Sequence, residues 1–240
     1  MFDDALSDAS APRLLCSRTG GMTTIGFIGS GRIGGTVAGL AVVAGYDVVL
    51  SNSRGPQTLE ALVEELGPHA RAATPPDAAA AGDLVMVSIP PRAYPAVPVE
   101  PVAGKPVLDA SNYIPDRDGR IPGLYDGPPS SEVLQRHLLT AHVVKVFNNI
   151  THWQLSALAR RADATDRSAL PIAGDDPTAK AAVTRFLDAI EYDTVDAGTL
   201  GTGGRRFQFG TGAFVAPSGG LSDERGTPAG VATLRAALGL

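Results

Sequence analysis

The stretch from Thr24 to Gly35, TIGFIGSGRIGG, constrains the fold more than any other part of this chain. Ile25, Phe27 and Ile28 form an uncharged apolar run, the pattern of a central strand buried on both faces of a parallel sheet. The run ends in Gly29-Ser30-Gly31-Arg32-Ile33-Gly34, and an apolar helical segment, Val37 to Val43, follows directly. Strand, glycine turn and helix in that order predict a dinucleotide-binding fold. The first glycine permits the tight turn, the second lets the backbone approach a pyrophosphate with no Cβ in the way, and the third lets helix pack on strand. In a chain with 28 glycines the motif alone would say little, and the elements on either side supply its context.

A second strand is expected at Tyr46 to Leu50, after a helix-ending Gly45. The residues that follow it, Ser51, Asn52, Ser53 and Arg54, lie about twenty positions beyond the glycine turn, where such folds discriminate between dinucleotides. A carboxylate here would accept hydrogen bonds from a ribose 2′-hydroxyl and repel a 2′-phosphate. This chain places two hydroxyls, an amide and a guanidinium there instead, which predicts NADP(H) over NAD(H), with Ser53 and Arg54 on the phosphate. The same residues also have the composition of a plain polar turn.

Further along, Leu84 to Ile89, Val107 to Ala110 and Val143 to Phe147 read as strands. Helical segments are expected at Thr58 to Leu66, Pro76 to Ala81, Ser130 to Leu139 and Trp153 to Arg161, with a short edge strand at Arg71 to Ala73. Six strands alternating with helices predict an α/β, doubly wound (Rossmann), mostly parallel sheet, with its ligand crevice at the strands' carboxyl ends. Leu170 to Ala173, Pro177 to Ala189 and Tyr192 to Val195 add a C-terminal β-α-β extension, and Gly198 to Gly204 reads as a glycine-rich link after it. The expected organisation is a poorly ordered segment 1–21 before Met22, a nucleotide-binding domain 22–204 that includes the extension, and a weakly patterned segment 205–240 with a terminal helix.

Composition narrows the partners. The formal net charge is −5 and there is no basic stripe, which argues against nucleic acid. No run of about eighteen apolar residues predicts a membrane span. The single cysteine, Cys16, and the lack of Cys-x-x-Cys or His-Glu-x-x-His leave no recognisable metal site and make the cytoplasm the expected compartment. A homodimer is the expected assembly.

Candidate ligand-facing residues are positional: Ser88, Ile89, Pro90 and Arg92 after one strand, Asn112 and Tyr113 after the next, and Lys145, Asn148, Asn149 and Thr151 at the third. No Ser-His-Asp order or paired carboxylates stand out. Hydride passing between two carriers needs proximity and orientation and little else from the protein, whereas reduction of a ketone or imine needs a placed acid. Lys145, inside VVKVF, reads as a proton donor or as a structural strand residue. His152, beside Thr151 and Trp153, reads as a proton donor or as a capping or packed histidine. Arg205 and Arg206 read either as holders of an acidic group on a second ligand or as a solvated pair.

Taken together, IGFIGSGRIGG, VVLSNSRGP, VLDASNY, DRDGRIP, VVKVFNNI, IAGDD and VDAG resemble the NADP oxidoreductases that depend on coenzyme F420. The resemblance runs from Met22 to about Arg206. It implies a nucleotide-binding core, NADPH as one ligand, a 5-deazaflavin as the other, and hydride transfer between them. On the matching positions it implies that Ser30, Arg32 and Ile33 lie near the nicotinamide half, Ser53 and Arg54 near the 2′-phosphate, Ser88 to Pro90 along the cofactor, and Asn148 to Ile150 by the reacting rings. The residue reading also leaves open an NADPH-dependent flavin, imine or ketone reductase, and an NADPH-binding sensor or interaction protein.

Overall fold

The computed structural model describes residues 23–125 and 127–240; the expectations for residues 1–21 and for a start at Met22 lie outside them. The elements run β1 (Thr24–Ile28), α1 (Arg32–Val43), β2 (Asp47–Ser51), α2 (Glu60–Leu66), β3 (Ala70–Ala72), α3 (Pro75–Ala81), β4 (Leu84–Val87) and β5 (Pro106–Asp109). They continue as α4 (Pro115–Asp118), α5 (Ser130–His137), β6 (His142–Lys145), α6 (His152–Ala157), β7 (Ala169–Gly174), α7 (Pro177–Ala189), β8 (Asp193–Asp196), α8 (Gly203–Arg206) and α9 (Val231–Leu238).

All eight strands form one sheet in the order β3-β2-β1-β4-β5-β6-β7-β8. From β3 to β6 every pairing is parallel, β6 meets β7 antiparallel, and β8 is parallel to β7. The chain leaves β1 toward β2 and β3, then returns to the other side of β1 at β4. That reversal opens a crevice outside the carboxyl ends of β1 and β4. The architecture is the α/β, mostly parallel sheet that the alternation of elements predicts, with the β-α-β extension joined to it in reverse.

Strand alternation decides which side chains meet which helices. Ile25 and Phe27 of β1 pack with Val37, Ala38 and Ala41 of α1 and with Phe186 of α7 on one face. Ile28, Val85, Val107 and Val143 pack with Tyr94, Leu134 and Leu138 on the other. Pro and a side-chain cap start two helices: Pro75 follows Thr74, which accepts from the Asp77 amide, and Pro177 follows Asp176, which accepts from the Ala179 amide.

Three details differ from the sequence expectation. Helix α1 begins at Arg32, well before the apolar run at Val37, because its first turn presents backbone amides and needs no apolar side chains. Helix α6 ends at Ala157, short of Arg161. The glycine-rich stretch 198–204 is not a plain link, since α8 starts within it. At the C-terminus Leu234 and Leu238 of α9 close a small core with Ala169, Val195 and Phe207, and the Ala169 amide donates to the Ala229 carbonyl at 2.8 Å. Among the described residues no helix is long and apolar enough to cross a membrane.

Candidate active site

The glycine turn sits at the carboxyl end of β1 with each glycine in a different steric setting. Gly29 has φ +100°, and a Cβ there would strike the Ser88 carbonyl. A Cβ on Gly34 would strike the carbonyl of Gly29, so this glycine lets α1 lie against the turn. Around Gly31 nothing lies within 4 Å of where a Cβ would be, which leaves clear space beside the backbone. The first turn of α1 has no acidic residue and no side-chain cap, so its amides and its positive dipole end are left for an anion.

Ser51 closes the turn from below. Its hydroxyl is fully buried and donates to the Phe27 carbonyl at 2.6 Å, while its own carbonyl accepts from the Gly29 amide and the Ser30 hydroxyl, each at 3.0 Å. This residue therefore ties β2 to β1 and keeps its side chain away from any ligand.

Beyond it the chain forms a compact loop. The Asn52 carboxamide oxygen accepts from the Arg54 amide at 2.9 Å, and its nitrogen donates to the Thr58 hydroxyl at 2.8 Å. Gly55, at φ +98°, turns the chain into a short helical turn over Pro56–Leu59. Ser53 and Arg54 are left on the exposed outer side of this loop, with no carboxylate paired to the guanidinium among the described residues.

The crevice itself has a volume of about 300 Å³. One wall is Gly31, Arg32, Ile33, Ser88, Ile89 and Pro90; its floor includes Ser111, Asn112, Phe147 and Asn148; the far wall is Phe214, Val215 and Leu221. Two asparagines are locked by their amide nitrogens. Asn112 donates to the Asn148 carbonyl and Asn148 to the Ser111 carbonyl, both at 2.6 Å. That arrangement leaves the Ser111 hydroxyl and the side-chain oxygens of Asn112 and Asn148 buried without a partner. Buried polar atoms are rarely left so, and three on one floor mark a surface made for a polar ligand. Oriented acceptors of this kind suit ribose hydroxyls and a carboxamide N–H, so the residues present fit a nicotinamide nucleotide.

Asn149 has a different role from Asn148. It lies behind the crevice wall, and its carbonyl accepts from the Val215 amide at 3.1 Å. Phe147, at φ +65°, and Val215, at φ +48°, both occupy the left-handed region, so backbone strain is concentrated where β6 meets the far wall. Gln154, fully buried on α6, secures that wall: its amide nitrogen donates to the carbonyls of Ser218, Gly220 and Asp223 at 3.1, 2.7 and 3.0 Å.

The ionisable side chains on the described crevice wall are Arg32 and Arg117 alone. Arg117 is tied to Asp118 and to the Asn112 carbonyl, and the Arg32 guanidinium lies 5.6 Å from the Trp153 ring centre. His152 lies against Trp153, ring centres 3.7 Å apart and planes inclined by 41°, and does not line the crevice; burial and the nearby Arg32 lower its pKa, with Glu224 opposing. Lys145 is fully buried, its ammonium 5.4 Å from the Phe207 ring centre and without a hydrogen-bond partner. Burial lowers its pKa to about 8, with Asp109 pulling the other way.

Asp109, opposite Lys145 across the β5–β6 ladder, is also fully buried and accepts from Ser131 (2.6 Å), the Ser111 amide (3.0 Å) and the Tyr94 hydroxyl (3.2 Å). Burial raises its pKa. Neither Lys145 nor His152 is thus placed on the crevice. The sequence reading missed Ser111, Ile114, Arg117, Phe147, Phe214, Val215 and Leu221. Those of the C-terminal segment carry no motif and no periodicity that marks them. Among the described residues no group of His, Cys, Asp and Glu is arranged to hold a metal ion.

Comparison with known proteins bears on the same residues. Residues 24–113 match the family model for NADP oxidoreductase, coenzyme F420-dependent. A hypothetical protein from Sinorhizobium meliloti superposes with a TM-score of 0.71 at 28% identity, over 81% of this chain and 94% of that one. A candidate F420-dependent NADP-reductase from Arthrobacter sp. FB24 gives 0.63 at 28% identity, over 75% and 86%. An imine reductase from Pseudomonas sp. shares the fold at 16% identity, with a TM-score of 0.54 over 76% of this chain and 58% of that one. No curated protein matches the sequence. Family match and neighbours together support an NAD(P)-dependent reductase, and the resemblance to the coenzyme F420-dependent NADP oxidoreductases is borne out across residues 24–113.

Proposed function

We propose that this chain transfers a hydride between NADP(H) and a 5-deazaflavin of the coenzyme F420 type, by holding the two rings face to face. The observation that carries this reading is the crevice wall without a single carboxylate, histidine, lysine, tyrosine or cysteine among its described residues. A ketone or imine gains a proton with its hydride and calls for a placed acid; transfer between two ring carbons does not. Loss of catalytic groups is matched by a surplus of holding groups.

The roles fall on named residues. The amides at the start of α1, beside the clear space at Gly31, hold the pyrophosphate. Ser53 and Arg54 hold the 2′-phosphate, where a guanidinium makes charge-assisted hydrogen bonds. The unpartnered oxygens of Ser111, Asn112 and Asn148 orient the nicotinamide ribose and carboxamide. Phe214, Val215 and Leu221 shield the reacting face from water and leave a flat apolar wall for the second ring. Bound NADPH supplies the hydride. Gains from proximity of this kind reach several kcal/mol without any acid or base.

The test is to mix the purified protein with NADPH and oxidised coenzyme F420 and follow loss of the deazaflavin absorbance. Turnover supports the acceptor assignment; no turnover at saturating concentrations of both removes it. Tight NADPH binding in that second case leaves the nucleotide half of the reading intact.

A further inference from the structure

A second cavity lies apart from the crevice. It measures about 410 Å³, within the range of small-molecule sites, and lies between residues 113–115, 124–125 and 127–130 on one side and residues 205–209 on the other. It shares no lining residue with the crevice. The two are back to back: along one strip of chain Asn112, Ile114 and Arg117 face the crevice, while Tyr113 and Pro115 face the cavity. Phe209 on the cavity side packs edge-on against Phe214 on the crevice side, ring centres 5.3 Å apart.

Three aromatic rings line this cavity, and each is fixed. The Tyr113 hydroxyl donates to the Gly119 carbonyl at 2.7 Å. Tyr125 carries the Arg120 guanidinium 4.8 Å from its ring centre. Phe209 is held by Phe214. Tyr125 and Phe209 are nevertheless 50% and 38% exposed, an unusual outlay of aromatic surface in a single hollow.

Arg205 supplies the charge. It extends from α8 into the lining, and its hydrogen bond to the Gly127 carbonyl is a long one, 3.3 Å. No carboxylate pairs with it among the described residues, although other cations of the chain find one. Its neighbour Arg206 faces away and is spent on structure, donating to the carbonyls of Leu238 and Gly239 at the end of α9. The two arginines that look alike in sequence are therefore different in kind.

We propose that this cavity binds a planar aromatic anion, its ring between Tyr113, Tyr125 and Phe209 and its carboxylate or phosphate on Arg205. Flat rings stack on flat rings, and a guanidinium with most of its fork free is the side chain best shaped for an oxyanion. The inference stands apart from the proposed hydride transfer, since it uses none of the crevice residues.

The probes are 2-naphthoate and 2-naphthyl phosphate, with neutral 2-naphthamide as the control, titrated into the full chain by calorimetry with and without NADP+. Both anions are expected to bind saturably below millimolar concentration, unaffected by NADP+, with the amide at least about tenfold weaker; the tighter anion tells carboxylate from phosphate. Arg205→Gln should bring the anions down to the level of the amide without lowering the melting temperature. Tyr125→Ala should weaken all three probes alike. Failure of both anions to saturate, competition with NADP+, or full-strength binding to the Arg205→Gln protein would each overturn the proposal.

Discussion

The two walls of the crevice are built on opposite plans. The glycine-turn wall comes from one contiguous stretch, Gly29 to Gly34, and is shaped by backbone: two glycines at close approach and one beside open space. The far wall, Phe214 to Leu221, is a loop with one short helical turn, Ala216–Ser218, and no ladder to lie on. It is secured by the Gln154 side chain, 64 to 69 residues away in sequence. One wall is a local consequence of three residues, the other a consequence of tertiary contacts, those of Gln154 and of the Asn149 carbonyl among them. The first kind suits a ligand that does not vary, and the second can be reshaped without disturbing the fold.

The comparison can be broken most sharply at the turn. Gly29→Ala places a Cβ against the Ser88 carbonyl at a positive φ, so it should lower the melting temperature and weaken NADPH about a hundredfold or more. Gly31→Ala meets no protein atom and should leave the melting temperature unchanged while still weakening NADPH by about tenfold. Equal melting losses for the two variants would refute the division of labour among the glycines.

A second test concerns the buried pair behind the crevice. Lys145 has its pKa lowered from 10.5 to about 8, so between those values the unfolded chain binds a proton that the folded chain has released. Stability should therefore rise with pH across that window, by up to about 3 kcal/mol for this group. The pH dependence of the urea midpoint checks it, and Lys145→Met should flatten the rise. Catalysis should respond less than stability, because Lys145 does not line the crevice.

Arg54→Ala should weaken NADPH by about 1.5–3 kcal/mol and leave NADH nearly unchanged, which titration of both nucleotides would show. Gln154→Ala should have the smallest effect on nucleotide affinity. Its cost of about 1–2 kcal/mol falls on stability, and the far wall loosens, so that KM for the second ring rises while NADPH binding holds. If Gln154→Ala damaged NADPH binding as badly as Gly29→Ala, the two walls would not be separable.

What the sequence discloses follows the same line. The glycine turn was legible because local chemistry determines it, a Cβ that must be absent at Gly29 and Gly34, and the exposed polar loop at Ser53 and Arg54 was legible from its composition. The doubly wound, mostly parallel sheet followed from the alternation of strands and helices. The far wall was not legible, because a loop pinned by a distant glutamine leaves no periodicity at Phe214 or Leu221. Ser51 looked like a ligand-facing hydroxyl because position after a strand cannot tell a side chain aimed outward from one folded back onto the Phe27 carbonyl. Lys145 in VVKVF reads as a proton donor or as a structural strand residue, and only its place opposite Asp109, off the crevice, separates the two. Arg205 and Arg206 are adjacent in sequence, and only the position of α9 separates them.

The reversal at β7 has a practical corollary. Because β7 runs against β6 and β8 follows it, the bends after these two strands emerge at the rim opposite the nucleotide, where Asp176 sits 3.7 Å from His142 and Asp175 holds the Leu200 amide. Four residues of strand, roughly 13 Å, separate the two rims. A fluorophore, an affinity handle or a whole fused protein attached at that remote rim would stay clear of the hydride path, giving a natural anchorage for immobilising the molecule with its working edge outward.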